Sequence, residues 1–127
     1  SKFEQISIKP GFMKHNGGLE FRKISNDEYE FKTEIQDYHI NAGGVTHGGF
    51  IMSMLDSGMG TAAHQLIKGK AVTISLNTNF IAGSKAGDKI IGFAKIKKKT
   101  RSLIFMYGHL KCEDKLLASA EGIWKII

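Results

Sequence analysis

Gly48-Gly49-Phe50-Ile51-Met52-Ser53-Met54-Leu55-Asp56-Ser57-Gly58-Met59-Gly60-Thr61-Ala62-Ala63-His64-Gln65-Leu66-Ile67-Lys68 is the one long run of helical periodicity in this 127-residue chain. Phe50, Met54, Gly58, Ala62 and Leu66 recur every four residues. Ile51, Leu55, Met59, Ala63 and Ile67 make the adjacent row. The two rows together form a broad apolar stripe, the mark of a helix packed against something else. Gly69 is the expected stop, with Lys68 in the last turn where a cation suits the helix dipole. Gly58 and Gly60 each cost about 1 kcal/mol of helix propensity relative to Ala. Tertiary packing has to compensate, and glycine permits close approach of a sheet or a partner helix.

On either side the period changes to two. Val72, Ile74, Leu76 and Phe80 alternate with Thr73, Ser75, Asn77 and Asn79. Residues 83–88 are a turn. Ile90–Lys98, Leu103–Cys112 and Leu116–Ile126 read as three further strands with short connections. Upstream, Leu19–Ile24 and Tyr29–Ile35 read as strands joined at the turn formers Ser25-Asn26-Asp27. Asp37–Thr46 reads as loop, and residues 1–12 as a short helix or irregular lead-in. Hairpin-length links imply an antiparallel sheet. One apolar helix and one sheet make an α+β layer architecture in which the sheet covers the helix, as a single domain over 1–127.

Composition bounds the partners. Eighteen Lys+Arg against twelve Asp+Glu give a net charge of +6. That excess suits an anionic partner: nucleic acid, an acidic membrane or a phosphorylated small molecule. The single cysteine, Cys112, rules out an intrachain disulfide and a Cys-based zinc cage. No segment reads as a signal peptide or membrane span, so the expected compartment is the reducing cytoplasm. A Ser start without Met points to a trimmed or incomplete N-terminus.

The chemistry concentrates in Asn41-Ala42-Gly43-Gly44-Val45-Thr46-His47-Gly48-Gly49, with Asp56 nine residues after His47. Gly48 and Gly49 sit at the helix start, where backbone N–H groups are unpaired and the dipole end is positive. Glycine leaves those amides open to an anion, or to an oxyanion developing on a carbonyl. His47 and Asn41 add side-chain hydrogen bonds nearby. Asp56 is the only formally charged residue between Gly48 and Ile67. It borders the apolar stripe beside Met52 and Ala63, a partly buried setting useful to a general base.

Spacing sharpens this. Gly48 and Asp56 are eight residues apart, roughly 12 Å along a helix axis. One carboxylate does not reach the carbon of a carbonyl held at its own helix start. If both serve one site, they come from different chains of a two-fold pair with antiparallel helices. The expectation is a homodimer with two composite sites.

Asn-x-x-Gly-x-x-His-Gly-Gly followed by that Asp resembles the hotdog-fold acyl-CoA thioesterases of the phenylacetate-pathway (PaaI-like) type. The match is full over Asn41, Gly44, His47, Gly48, Gly49 and Asp56, and the element order fits from about Leu19 onward. The resemblance implies a sheet wrapped around one helix, protomers paired as dimers or dimers of dimers, and a metal-independent hydrolase that needs no cofactor. It implies that the Gly48 N–H, with His47 beside it, polarises a thioester carbonyl. Asn41 would position substrate or water, and Asp56 of the partner subunit would be general base or nucleophile. Thr73 would hold the water, its side chain on the polar face opposite Val72 and Ile74. Coenzyme A would run along Phe80, Ala82, Gly83, Ser84 and Lys85, with Gly49 near it. It would then follow the basic hairpin at Lys98, Lys99, Arg101 and Ser102, part of a cluster of five cations in seven positions from Lys95 to Arg101.

Each of these residues also has a plain structural reading. Asp56 suits a helix contact, His47 a cap, Asn41 an Asx turn, the glycines a tight turn, and Thr73 an ordinary strand position. A lysine run on a strand edge discourages sheet-to-sheet pairing. The competing functions are a non-catalytic acyl-CoA-binding module, a 3-hydroxyacyl thioester dehydratase or hydratase, and a basic nucleic-acid-binding domain. The last lacks a stacking platform or recognition motif, so neither nucleic acid nor membrane is the expected partner.

Overall fold

The computed structural model describes residues 2–127. One antiparallel seven-stranded sheet wraps one long helix. In chain order the elements are β1 (Glu4–Gln5), α1 (Phe12–His15), β2 (Glu20–Lys23), β3 (Glu28–Glu34), a 3-10 turn (Asp37–His39), α2 (Gly48–Ile67), β4 (Ala71–Phe80), β5 (Lys89–Lys99), β6 (Leu103–Cys112) and β7 (Lys115–Ile126). The lead-in therefore holds a two-residue strand, and its helix begins only at Phe12. The stretch 37–46 is not all loop, since Asp37–His39 forms the 3-10 turn.

The sheet order is β1-β2-β3-β5-β6-β7-β4. The link from β4 to β5 is short, yet these strands are not neighbours. β4 crosses to pair with β7, and β3 pairs with β5. This places β4 at the free edge of the sheet, next to the helix that precedes it.

The two apolar rows of α2 are buried through Ala63, and their last members, Leu66 and Ile67, are half-buried. Phe50, Ile51, Met54, Leu55, Gly58, Met59, Ala62 and Ala63 are buried. They pack on Phe31, Ile90, Ala94, Ile104, Met106, Leu110 and Trp124 from the sheet. Burying a Leu or Met side chain contributes roughly 1.5–3 kcal/mol, more than the helix propensity that Gly58 forfeits. Gly58 is needed for contact, because a Cβ there would lie 2.5 Å from the Phe31 ring. The close approach is thus to the sheet.

The helix stop differs from the expectation. Lys68, not Gly69, takes the left-handed conformation, at φ 51° and ψ 45°. The Gly69 N–H then reaches back to His64 O at 3.3 Å.

β4 departs from simple alternation. A bulge falls between Thr73 and Ser75. Before it, Thr73 pairs with Trp124, whose side chain faces the core. After it, Leu76 and Phe80 pair with the core-facing Gly122 and Ala118. The extra residue, Ile74, shifts the period by one. Thr73 therefore shares the helix side of the sheet with Leu76 and Phe80, not the face of Asn77 and Asn79. Bulges re-aim side chains in this way next to functional sites. Val72, Ile74 and Phe80, read as one apolar face, are 43%, 55% and 57% exposed at this free edge.

Candidate active site

The approach to α2 is built from local hydrogen bonds. Asn41 Oδ1 accepts from the N–H groups of Gly43 at 2.9 Å and Val45 at 3.2 Å. This is the Asx-type turn, and it closes with Asn41 N–H to Val45 O at 2.8 Å. The Asn41 amino group keeps no partner among the described residues. One end of Asn41 holds the loop, and the other is left as a donor.

His47 is the N-cap of α2, and its Nδ1 accepts from Gly49 N–H at 2.8 Å. An accepting Nδ1 is unprotonated, so the neutral ring carries its proton on Nε2. The Phe50 and Ile51 N–H groups both reach His47 O, at 2.9 and 3.2 Å. Of the four N–H groups that a helix start leaves orphaned, three are thus occupied. The Gly48 N–H has no acceptor among the described residues. The two glycines are therefore unequal: Gly49 feeds the cap, and Gly48 is the open donor.

Phe80 packs beside Gly48. A Cβ on Gly48 would lie 3.3 Å from its ring. Gly48, Phe80, Ala82, Gly83 and Ser84 line a cleft of about 360 Å³ with Val45 and Leu117. Ile81 and Ala82 N–H bind Leu117 O, and Lys115 Nζ donates to Gly83 O at 2.7 Å. Lys85 is exposed beside them. Ser84 differs from its neighbours. It is 5% exposed, and its hydroxyl donates to Thr46 Oγ1 at 2.6 Å while Thr46 N–H donates to Ser84 O at 2.9 Å. Its side chain is a latch between two loops, so its hydroxyl is engaged within the chain.

Asp56 lies on a different cleft, of about 310 Å³, with Ile6, Met13, Gly60, His64, Thr73 and Trp124. It is exposed in this chain rather than partly buried. Thr73 Oγ1 donates to Asp56 Oδ1 at 2.6 Å, which leaves Oδ2 unengaged. His64 fastens the helix to the same strand, its Nε2 lying 2.9 Å from Ala71 O.

The basic hairpin sits at the Asp56 end. Across the sheet, Lys99 pairs with Ile104, Ile104 with Trp124, and Trp124 with Thr73. Three strand spacings separate Lys99 from Thr73, roughly 14 Å. Phe80 lies at the opposite end of β4. The residues expected along one coenzyme path therefore fall into two groups. Phe80, Ala82, Gly83 and Lys85 accompany Gly48; Lys98, Lys99, Arg101 and Ser102 accompany Asp56 and Thr73. One chain does not bring them together. A larger cavity, of about 510 Å³, is lined by Gln5, Gly18, Glu20, Lys32 and Lys89 and holds none of the motif residues.

The model of the thioesterase superfamily matches residues 43–119, from the loop before α2 into β7. The chain belongs to the thioesterase superfamily. With that membership the expected enzyme class, a thioester hydrolase, stands, and so does the hotdog architecture. A protein of Pseudomonas aeruginosa that bears a provisional esterase name is 28% identical over 94 residues, 72% of this chain and 70% of its own. The TT0310 protein of Thermus thermophilus superposes with a TM-score of 0.85 at 24% identity, over 94% of this chain and 100% of its own. A mutant of the phenylacetic acid degradation protein PaaI from the same organism gives 0.82 at 23% identity, over 91% and 97%. At such identities these two structures share the fold with this thioesterase.

Reading the sequence missed three parts of the site. His39 is 2% exposed and stacks on Phe50 at 3.7 Å between ring centroids. Its Nδ1 accepts from Gln36 N–H, its Nε2 lies 2.6 Å from Asn16 O, and its carbonyl accepts the His47 N–H. It anchors the helix start through its carbonyl to His47 and its ring on Phe50, contacts across a loop that no helix or strand spacing reveals. The Ser84–Thr46 latch, 38 residues apart, is equally silent in sequence. The bulge at Ile74 has no glycine to mark it.

Proposed function

We propose that this thioesterase hydrolyses acyl-CoA esters at two sites, each shared between the chains of a homodimer. The observation that carries the reading is the separation of two halves. An open Gly48 N–H and a Thr73-bound Asp56 sit eight residues apart on one helix, roughly 12 Å along its axis. They belong to different clefts. Antiparallel pairing of two α2 helices would set each Gly48 against Asp56 of the partner subunit. It would also join the two coenzyme-binding groups.

The chemistry follows from what each group has free. The thioester carbonyl oxygen accepts from the Gly48 N–H, with the His47 Nε2–H as a second donor. Asp56 takes a proton from water through Oδ2, while Thr73 holds Oδ1. The water oxygen bonds to the thioester carbon, and negative charge grows on the carbonyl oxygen at the helix N-terminus, where the dipole stabilises it. The tetrahedral intermediate collapses, the C–S bond breaks with its electron pair going to sulfur, and the sulfur takes up the proton. Coenzyme A thiol and a carboxylic acid leave. The free Asn41 amino group would orient the water or the acyl oxygen. Lys98, Lys99, Arg101 and Lys85 would meet the coenzyme phosphates.

The test is thiol release from an acyl-CoA panel by the purified chain. Hydrolysis of at least one ester, lost in Asp56→Asn, is the expected result. An unchanged rate in that variant would remove Asp56 from the mechanism.

A further inference from the structure

Trp124 carries a polar group on the Asp56 cleft whose use the fold does not explain. The residue is 1% exposed, the largest side chain of the core. Its ring nevertheless lines the cleft that holds Asp56, Gly60 and Thr73. The indole N–H has no acceptor among the described residues, and it is not one of the sealed polar atoms, so it faces the cleft. An acyl group that enters the cleft displaces water from this N–H and has to replace that hydrogen bond or leave the donor unpaired. The neighbouring helix position keeps the group uncovered. Gly60 has no side chain, and a Cβ there would stand 3.4 Å from Nε1.

The position relative to the chemistry is defined. Gly60 is one helical turn beyond Asp56, about 6 Å. Trp124 pairs with Thr73, the residue that holds Asp56. An acyl chain that runs from the thioester carbon past Asp56 and along α2 toward Gly60 would reach the indole edge within a few bonds.

Resting on the thioesterase reading above, we infer that Trp124 Nε1–H is a specificity-determining donor in the acyl pocket, and that the preferred acyl group carries a neutral oxygen acceptor. The indole N–H only donates, so its partner must be a hydroxyl, ether or keto oxygen. A carboxylate would also accept, but Asp56 one turn away repels it. Ser57 shares the cleft, and its hydroxyl rotates to donate or accept, so it discriminates little. A plain alkanoyl group would strip water from the N–H and leave it unpaired, a loss felt in kcat/KM.

The experiment compares kcat/KM for butanoyl-CoA, 3-hydroxybutanoyl-CoA and 4-hydroxybutanoyl-CoA. The native chain should favour at least one hydroxylated ester by about 10-fold. Trp124→Phe keeps a ring and removes the N–H; it should bring the ratio close to one, chiefly by lowering kcat/KM for the hydroxylated ester. Because that change touches the core, Gly60→Ala gives a second reading with the indole intact, its new methyl in van der Waals contact 3.4 Å from Nε1, narrowing the acyl oxygen's path to the donor and lowering the same ratio. Equal rates on all three esters in the native chain would leave the hydrolase standing and overturn the assignment of Trp124. A preference that persists in Trp124→Phe and Gly60→Ala would overturn it too. A native chain that hydrolyses none of the acyl-CoA panel would overturn the acyl-CoA reading, and this inference with it.

Discussion

Thr73 Oγ1 donates a 2.6 Å hydrogen bond to Asp56 Oδ1. The contact exists because the bulge at Ile74 turns Thr73 toward the helix. It fixes one carboxylate oxygen and aims the other. Asp56→Asn should lower kcat by about 100-fold or more, the usual loss of a general base. Thr73→Val should cost about 10-fold, the value of a hydrogen bond to a charged group, and Thr73→Ser should restore most of it. Circular dichroism on the same samples shows whether the fold is intact.

Complementation tests whether the site is shared. Gly48 is the first residue of α2, where proline is tolerated, and His47 at φ −59° and ψ 131° suits the residue before one. Gly48→Pro therefore removes the one open N–H and leaves the helix. It should cost roughly 10²–10³ in kcat, as for loss of an oxyanion donor. Refolding it in equal mixture with Asp56→Asn should restore about a quarter of native activity, since half the dimers then carry one native site of two. No recovery in the mixture points to a site within one chain.

The hairpin should act on binding alone. Lys98→Ala and Arg101→Ala should each raise KM for an acyl-CoA by about 2- to 5-fold and leave kcat in place. A short thioester without the nucleotide should show no change. A fall in kcat for both substrates would move these residues from coenzyme contact to folding.

Two glycines of α2 should respond in opposite directions. Alanine in a helix gains about 1 kcal/mol over glycine. At Gly58 the new methyl meets the Phe31 ring at 2.5 Å, and overpacking costs about 1–3 kcal/mol, so Gly58→Ala should lower the midpoint of urea unfolding. At Gly60 the contact is 3.4 Å, and Gly60→Ala should raise it.

His109 should set part of the acid limit. It stacks on Phe93 at 5.2 Å, and its Nδ1 lies 3.1 Å from Tyr107 Oη. Burial, and then the charge of Lys111, hold its proton affinity below the usual histidine range. The unfolded chain thus binds this proton more readily than the folded one. The stability it contributes is complete above its unfolded pKa, about 6.5, and is lost as pH falls through the lower folded value. Thermal melts of the native chain and of His109→Phe should diverge below about pH 6.5, the variant losing less on acidification. Parallel acid slopes would assign the loss to other groups.

The amino-acid sequence by itself determined the elements and the chemical set. Two apolar rows at four-residue spacing make α2 a core helix wherever it sits, because its buried face follows from 3.6 residues per turn. His47, Gly48 and Asp56 were readable because they lie on or beside that one helix, where spacing converts to distance. Only the tertiary structure decided what depends on partners far along the chain. The order of the sheet put β4 at an edge, and the bulge turned Thr73 onto Asp56. The cap by His47 made Gly48 and Gly49 unequal, and the latch engaged the Ser84 hydroxyl with Thr46. The basic hairpin went to the Asp56 end because β6 and β7 intervene, and no local pattern encodes that. Periodicity reports which face of an element is buried. Register and long-range hydrogen bonds, set by packing, report what that face meets.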